Sequence, residues 1–173
     1  MQTKQIKQIG KGAFSTVYRK TEKTVIIKTT DYVKECLSWE WHELSYLLPK
    51  LKQIEHSDNL KFSFYECKYY EKVSSLKNAL SSTEYDFYKE LRKISNTKHN
   101  DYYKLFELFS ALPAKYNRKK KILLSFLDSL ANYGADICFE ISPRNVAVEK
   151  GKLILLDCFY FHKQLKKVQS KLN

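Results

Sequence analysis

Glu140 and Asn145 stand five residues apart in the stretch "ICFEISPRNVAV", residues 137 to 148, with Pro143 between them. Proline removes a backbone donor and breaks any helix, so the acid and the amide share a stiff loop. An apolar run, "ICF", leads into the loop, and an alternating run, "NVAVE", leads out of it, so the loop joins two strands. A turn at Lys150-Gly151 is followed by "KLILLD", a further strand ending on Asp157. The last two strands make a hairpin, which sets Asn145 at its start beside Asp157 at its end. A loop carboxylate can take the proton of a hydroxyl. An amide oxygen and a second carboxylate are hard donors suited to a divalent cation that faces phosphates. A capping Asp and a turn Asn would be the purely structural use of the same residues.

A phosphate-binding part is also present. "IGKGAFSTVY" has the spacing G-x-G-x-x-S-x-V, with Gly10 and Gly12 in a turn where bare backbone could approach phosphate oxygens. A dinucleotide-binding turn leads into a helix, whereas this one leads into a strand, as does the loop over the ATP phosphates in protein kinases. Lys28, in "TVIIKTT", lies near the end of an apolar strand sixteen residues after Gly12, placed to reach phosphates. The next helix offers Glu35, Glu40 and Glu43 as partners to orient it. Glu40 shares a face with Leu37, Trp41 and Leu44 and is preferred; Glu35, in the first turn, is its rival because the connection is short.

The elements that must position these residues follow from pattern. "AFSTVYRK" and "TVIIKTT" are strands joined by a hairpin at Thr21 to Lys23. Asp31 caps a helix reaching about Leu48, where Pro49 ends it; Val33, Leu37, Trp41, Leu44 and Leu48 form its apolar stripe. "LKFSFYE" and "KYYEKVSS" are two further strands. Helices are expected over 83–95, about 101–112 and about 117–133, the last capped by Asn117, ended by Gly134 and buried through Ile122, Phe126, Leu130 and Tyr133. "FHKQLKKVQSKLN" is a basic helix or tail. The order predicts an α+β protein, with a small antiparallel sheet lobe plus one helix over about 1–72. A mostly helical lobe follows over about 73–173, carrying the catalytic hairpin 137–159.

Composition narrows the classes. Of 173 residues, 43% are apolar, enough for a core. The net charge of +12 permits nucleic acid, acidic proteins or phosphorylated ligands as partners. "KYNRKKK" and "HKQLKKVQSK" motivate a nucleic-acid-binding alternative, though both fit solvated helix faces. Cys36, Cys67, Cys138 and Cys158 include no C-x-x-C pair, so a zinc site is not expected, and reduced thiols in a cytoplasmic protein are. No signal segment and no run of about 18 apolar residues points to a membrane.

Taken in order, these motifs resemble a minimal protein kinase, and especially the small serine/threonine protein kinases of tailed bacteriophages. "GKGAFSTVY" resembles the glycine-rich loop, "VIIK" the phosphate-binding Lys strand, "FEISPRNVAV" the catalytic loop and "LILLDCF" the metal-binding Asp segment, across residues 9 to 159. The resemblance implies ATP and Mg²⁺ as cofactors, Asn145 and Asp157 as metal ligands, Glu140 as catalytic base and Lys28 on the α- and β-phosphates. It implies a protein Ser or Thr as acceptor, on host proteins during infection. "YECKYYEKV" would be the fifth strand and hinge, with Lys68 to Tyr70 near adenine. The pattern departs from the family in four places. Glu140 and Cys138 stand where Asp and His are usual, no glycine follows Cys158-Phe159, and 16 residues after Asp157 leave no room for a full activation loop. Glu140 retains a carboxylate, with about 1 Å more reach, and a misplacement of that size can cost about 10²-fold. A pseudokinase or nucleotide-binding module that inhibits a partner is the alternative. An aminoglycoside-type phosphotransferase is ranked lower, because the His-x-Asp pattern and a second acid after Asp157 are missing.

Overall fold

The structure is a computed structural model and describes residues 7–38, 46–57, 62–95 and 101–170. Five strands form one antiparallel sheet: β1 (Gln8–Lys11), β2 (Ser15–Arg19), β3 (Thr24–Thr29), β4 (Leu51–Ser57) and β5 (Phe62–Lys68), in the spatial order β1-β2-β3-β5-β4. The β2–β3 turn closes as expected, because the Thr21 hydroxyl accepts from the backbone N–H groups of Lys23 and Thr24. Gly10 belongs to β1, paired with Val17, while Gly12 sits in the turn that follows. The sheet therefore begins one strand earlier than the pattern indicated.

Two further differences lie in this sheet. Of the two strands expected around 60–75, "LKFSFYE" corresponds to β5, but residues 69–75 of "KYYEKVSS" form no strand, and β5 pairs instead with β4 upstream. In β4, "LKQIEHS" buries Leu51 yet leaves Ile54 half exposed across a bulge, so the alternation that marks a strand is broken. Helix α1 (Tyr32–Ser38) starts where expected, with the Asp31 carboxylate accepting from the N–H of Val33. Its expected extension to Leu48 is not kept, because Tyr46 to Leu48 is a bend.

The helices that follow are α2 (Leu76–Ala79), α3 (Ser82–Ser95), α4 (Tyr102–Ser110) and α5 (Asn117–Ala131). The apolar spacing in α3 buries Phe87, Leu91 and Ile94, and that in α5 buries Ile122, Phe126 and Leu130. Asn117 does not cap α5. It is already helical, following a tight turn at Ala114–Tyr116 that brings the chain into helical geometry. Gly134 closes the segment at φ 143°, a backbone region that L side chains rarely adopt. Glu84 and Lys119 form a buried ion pair at 2.6 Å between α3 and α5, and the second Glu84 oxygen accepts from the Leu153 N–H.

Four short strands complete the chain: β6 (Ile137–Phe139), β7 (Val146–Glu149), β8 (Lys152–Leu155) and β9 (Phe159–Phe161), then α6 (His162–Gln169). β7 pairs with β8 as the expected hairpin, while β6 pairs with β9, a strand the sequence did not mark. Behind them sits an aromatic cluster from four elements. Phe139 and Phe159 meet at 5.0 Å, Phe109 lies 5.3 Å from Phe139, and Phe126 lies 5.3 Å from Phe159, with the last two pairs edge to face. Phe139 directly precedes Glu140, and Phe159 follows Asp157 by two residues, so this cluster anchors both carboxylates. Phe126→Leu, which opens a void among these rings, should cost about 1–2 kcal/mol in denaturant unfolding. An unchanged midpoint would mean that the rings do not support the site. Among the described residues no helix is long and apolar enough to cross a membrane.

Candidate functional site

The loop from Glu140 to Asn145 leaves β6 and enters β7, and the segment Leu156 to Cys158 leaves β8 and enters β9. Backbone hydrogen bonds lock the two segments together. The Glu140 N–H donates to the Cys158 carbonyl at 2.8 Å. The Asn145 carbonyl accepts from the N–H groups of Leu156 (2.9 Å) and Asp157 (3.2 Å), and from the Cys158 thiol (3.2 Å). From the other side, α3 grips Ile141: the Ser95 hydroxyl accepts from its N–H at 3.0 Å, and Arg92 donates to its carbonyl. Glu140, Asn145 and Asp157 are thereby brought to one place, Glu140 and Asp157 exposed and Asn145 half-buried.

Lys28 is not with them. Strand alternation turns Val25 and Ile27 toward the cleft beneath the sheet and sends Lys28 to the opposite face, where its ammonium lies 4.0 Å from the centre of the Phe62 ring. The cation that meets Asp157 is Lys34, from the first turn of α1. Its Nζ donates to Asp157 Oδ1 at 2.7 Å and to the Leu156 carbonyl at 2.9 Å. Burial works against the charged Lys34, but Asp157 and Asp31 outweigh it and hold the ammonium above the ordinary lysine pKa. Of the expected partners for Lys28, Glu35 is half-buried in α1 and makes no ion pair with Lys28, and Glu40 and Glu43 lie outside the described residues.

The cleft itself encloses about 260 Å³. Its roof is apolar, from Ile9, Val17, Val25 and Ile27, and Lys68 to Tyr70, at the end of β5 and just after it, line one side. The other end is polar, with Lys34, Asp157 and Arg144. Neither Gly10 nor Gly12 has positive φ, and an added Cβ at either would meet nothing closer than 3.6 Å. The Gly12 amide is used within its own turn, donating to the Ser15 carbonyl at 2.8 Å.

Lys34 and Arg144 were not picked out from the sequence. A signal for Lys34 existed: it is a charged residue between Val33 and Cys36 on the buried side of α1, where lysine needs an anionic partner. Nothing local distinguished Arg144 from an ordinary loop cation.

Asp31 is 3% exposed, and burial pushes its carboxyl up to about 6, against the lowering pull of Lys34. A carboxyl that holds its proton more tightly when folded makes stability fall as pH rises from about 4 to about 6, by roughly 3 kcal/mol in total. Asp31→Asn keeps an oxygen for the Val33 N–H and removes the titration. Its stability relative to wild type should therefore grow across that window. Parallel pH curves for the two proteins would contradict the assignment.

No protein-family model matches the sequence, and no curated protein matches it. Among solved structures the chain is similar to APH(2'')-IIa in a ternary complex with streptomycin and ATP, at 15% identity and a TM-score of 0.36, over 92% of this chain and 68% of that one. It is also similar to APH(2'')-IIa with gentamicin, at 16% identity and a TM-score of 0.38, over 91% and 66% of the two chains. A third likeness is to the ADP-bound aminoglycoside phosphotransferase APH(2'')-Ib, at 15% identity and a TM-score of 0.36, over 92% and 69%. The chain spans about two thirds of the length of these structures. At such identities and TM-scores the likeness carries no argument, and fold and chemistry alike must come from the residues themselves.

Proposed function

We propose that this chain binds ATP in the cleft beneath the sheet and transfers its γ-phosphoryl group to a hydroxyl held near Glu140. The observation that carries this reading is an apolar slot ending in Lys34, Asp157 and Arg144, next to a locked loop that presents a carboxylate. The slot, at about 260 Å³, is slightly below the ~300–1,000 Å³ of whole-ligand pockets. It suits a planar base, with the phosphates lying along the polar end. Lys34 takes the phosphate role that strand position suggested for Lys28.

The donor set fits a magnesium ion. Asp157 gives one oxygen to Lys34 while its side chain stays exposed, and the Asn145 amide nitrogen points back to the Glu140 carbonyl at 3.5 Å, leaving its oxygen for another partner. Among the described residues no three His, Cys, Asp or Glu side chains gather into a metal cage by themselves. That suits Mg²⁺, which relies on one or two protein oxygens plus phosphates and water. Bound there by Asp157 and Asn145, it would neutralise charge on the phosphates. Glu140 takes the acceptor proton, and Lys34 holds the phosphates and Asp157 in register.

The acceptor is a protein side-chain hydroxyl, Ser or Thr. Glu140, Pro143 and Arg144 are all exposed, so this side of the loop is open to a large substrate. The test is ATP binding with and without Mg²⁺, followed by transfer of labelled γ-phosphate to protein extract and, separately, to aminoglycosides. Binding at 100 times Kd should stabilise the fold by about 2.7 kcal/mol. Binding without transfer to either acceptor would make the chain a nucleotide-binding module, and no ATP binding would end this reading.

A further inference from the structure

A second cavity, about 420 Å³, shares Lys68 and Tyr70 with the nucleotide cleft and is otherwise built from different residues. Its volume falls in the range of small-ligand sites. Four lysines line it, Lys50, Lys68, Lys150 and Lys152, against one carboxylate, Glu149, which is ion-paired with Lys68. Among the described residues no carboxylate is paired with Lys50, Lys150 or Lys152. Two cations also converge on one aromatic wall: Lys152 lies 5.5 Å and Arg118 4.9 Å from the Tyr46 ring centre.

The backbone gives an independent sign. Lys150 is the one non-glycine among the described residues with positive φ, at 50°, followed by Gly151 at 75°. Such paired positive angles make the tight β7–β8 turn, where Asn or Asp is the usual first residue because lysine has no side-chain bond to offset the strain. The chain thus accepts a strained position that carries a cation at the cavity rim. Like charges gathered round a partly enclosed space repel one another unless an anion joins them.

We propose that this cavity is a second binding site, for a small ligand carrying a phosphate or diphosphate group, held by Lys50, Lys150 and Lys152. The volume of about 420 Å³ suits a small phosphate ester, and a net lining charge of three favours a multiply charged group over a carboxylate.

The experiment titrates ¹⁵N-labelled protein with inorganic pyrophosphate and follows the backbone amides. Saturating shifts at Lys150, Gly151 and Lys152 are expected, distinct from any at Lys34 and Asp157, so the result does not depend on the nucleotide reading. The triple variant Lys50→Gln, Lys150→Gln, Lys152→Gln should weaken binding roughly tenfold or more, while ATP binding in the cleft persists. A nucleoside monophosphate and a sugar phosphate, titrated in parallel, separate the two sources of the group. Absence of shifts at these three amides at about 10 mM pyrophosphate, the limit of very weak affinity, would overturn the proposal. So would equal binding by the triple variant. Shifts produced by duplex DNA but not by pyrophosphate would also overturn it, making this a general polyanion face.

Discussion

Lys34→Met should lower phosphoryl transfer by about 10²–10³-fold, the scale of losing one preorganised charge donor at a developing anion, while Lys28→Ala stays close to wild type. The two lysines are six residues apart, but strand alternation sends Lys28 away from the cleft, and the first turn of α1 delivers Lys34 into it. The Lys34 variant should fold. Its partner Asp157 has a side chain 57% exposed, so water can replace the lost ammonium. The other neighbour, buried Asp31, can take up a proton once the cation is gone, since its carboxyl already titrates near 6. The measurement is kcat/KM for ATP together with direct ATP affinity. Loss of activity in the Lys28 variant with retention in the Lys34 variant would restore the strand lysine to the phosphate role and remove α1 from the mechanism.

Glu140→Gln should slow transfer by about 10²–10⁴-fold and leave ATP affinity unchanged, as expected for a positioned base that does not touch the nucleotide. The backbone under Glu140 is fixed by the Cys158 carbonyl on one side and by Ser95 and Arg92 through Ile141 on the other. An exchange of this exposed side chain should therefore alter chemistry without moving the loop. Glu140→Asp is the sharper comparison. It shortens the reach by about 1 Å from the same fixed backbone. If glutamate is matched to this loop, activity falls by up to about 10²-fold. A wild type without transfer that gains it on Glu140→Asp would instead identify the natural glutamate as the feature that silences a nucleotide-binding protein. Equal rates for wild type, Glu140→Gln and Glu140→Asp would exclude the loop from catalysis.

The acid–amide–acid constellation was legible in the sequence because it depends on local order. Proline stiffens the loop, alternation marks β7 and β8, and a two-residue turn forces the hairpin's ends together, so Asn145 and Asp157 meet whatever the rest of the chain does. The helix stripes through Phe87, Leu91, Phe126 and Leu130 were legible for the same reason, since a 3.6-residue period needs no knowledge of the partner. The pairing of β6 with β9 depended on contact between segments twenty residues apart, and the three-residue strands "ICF" and "FYF" are too short to announce a partner. The choice between Lys28 and Lys34 depended on which face of β3 meets the second half of the molecule. In a strand bearing apolar residues at 25, 26 and 27, composition allows either face. Only the packing of the sheet over Leu156 and Asp157 turned Val25 and Ile27 inward, Lys28 outward, and left Lys34 as the cation paired with Asp157 in the cleft.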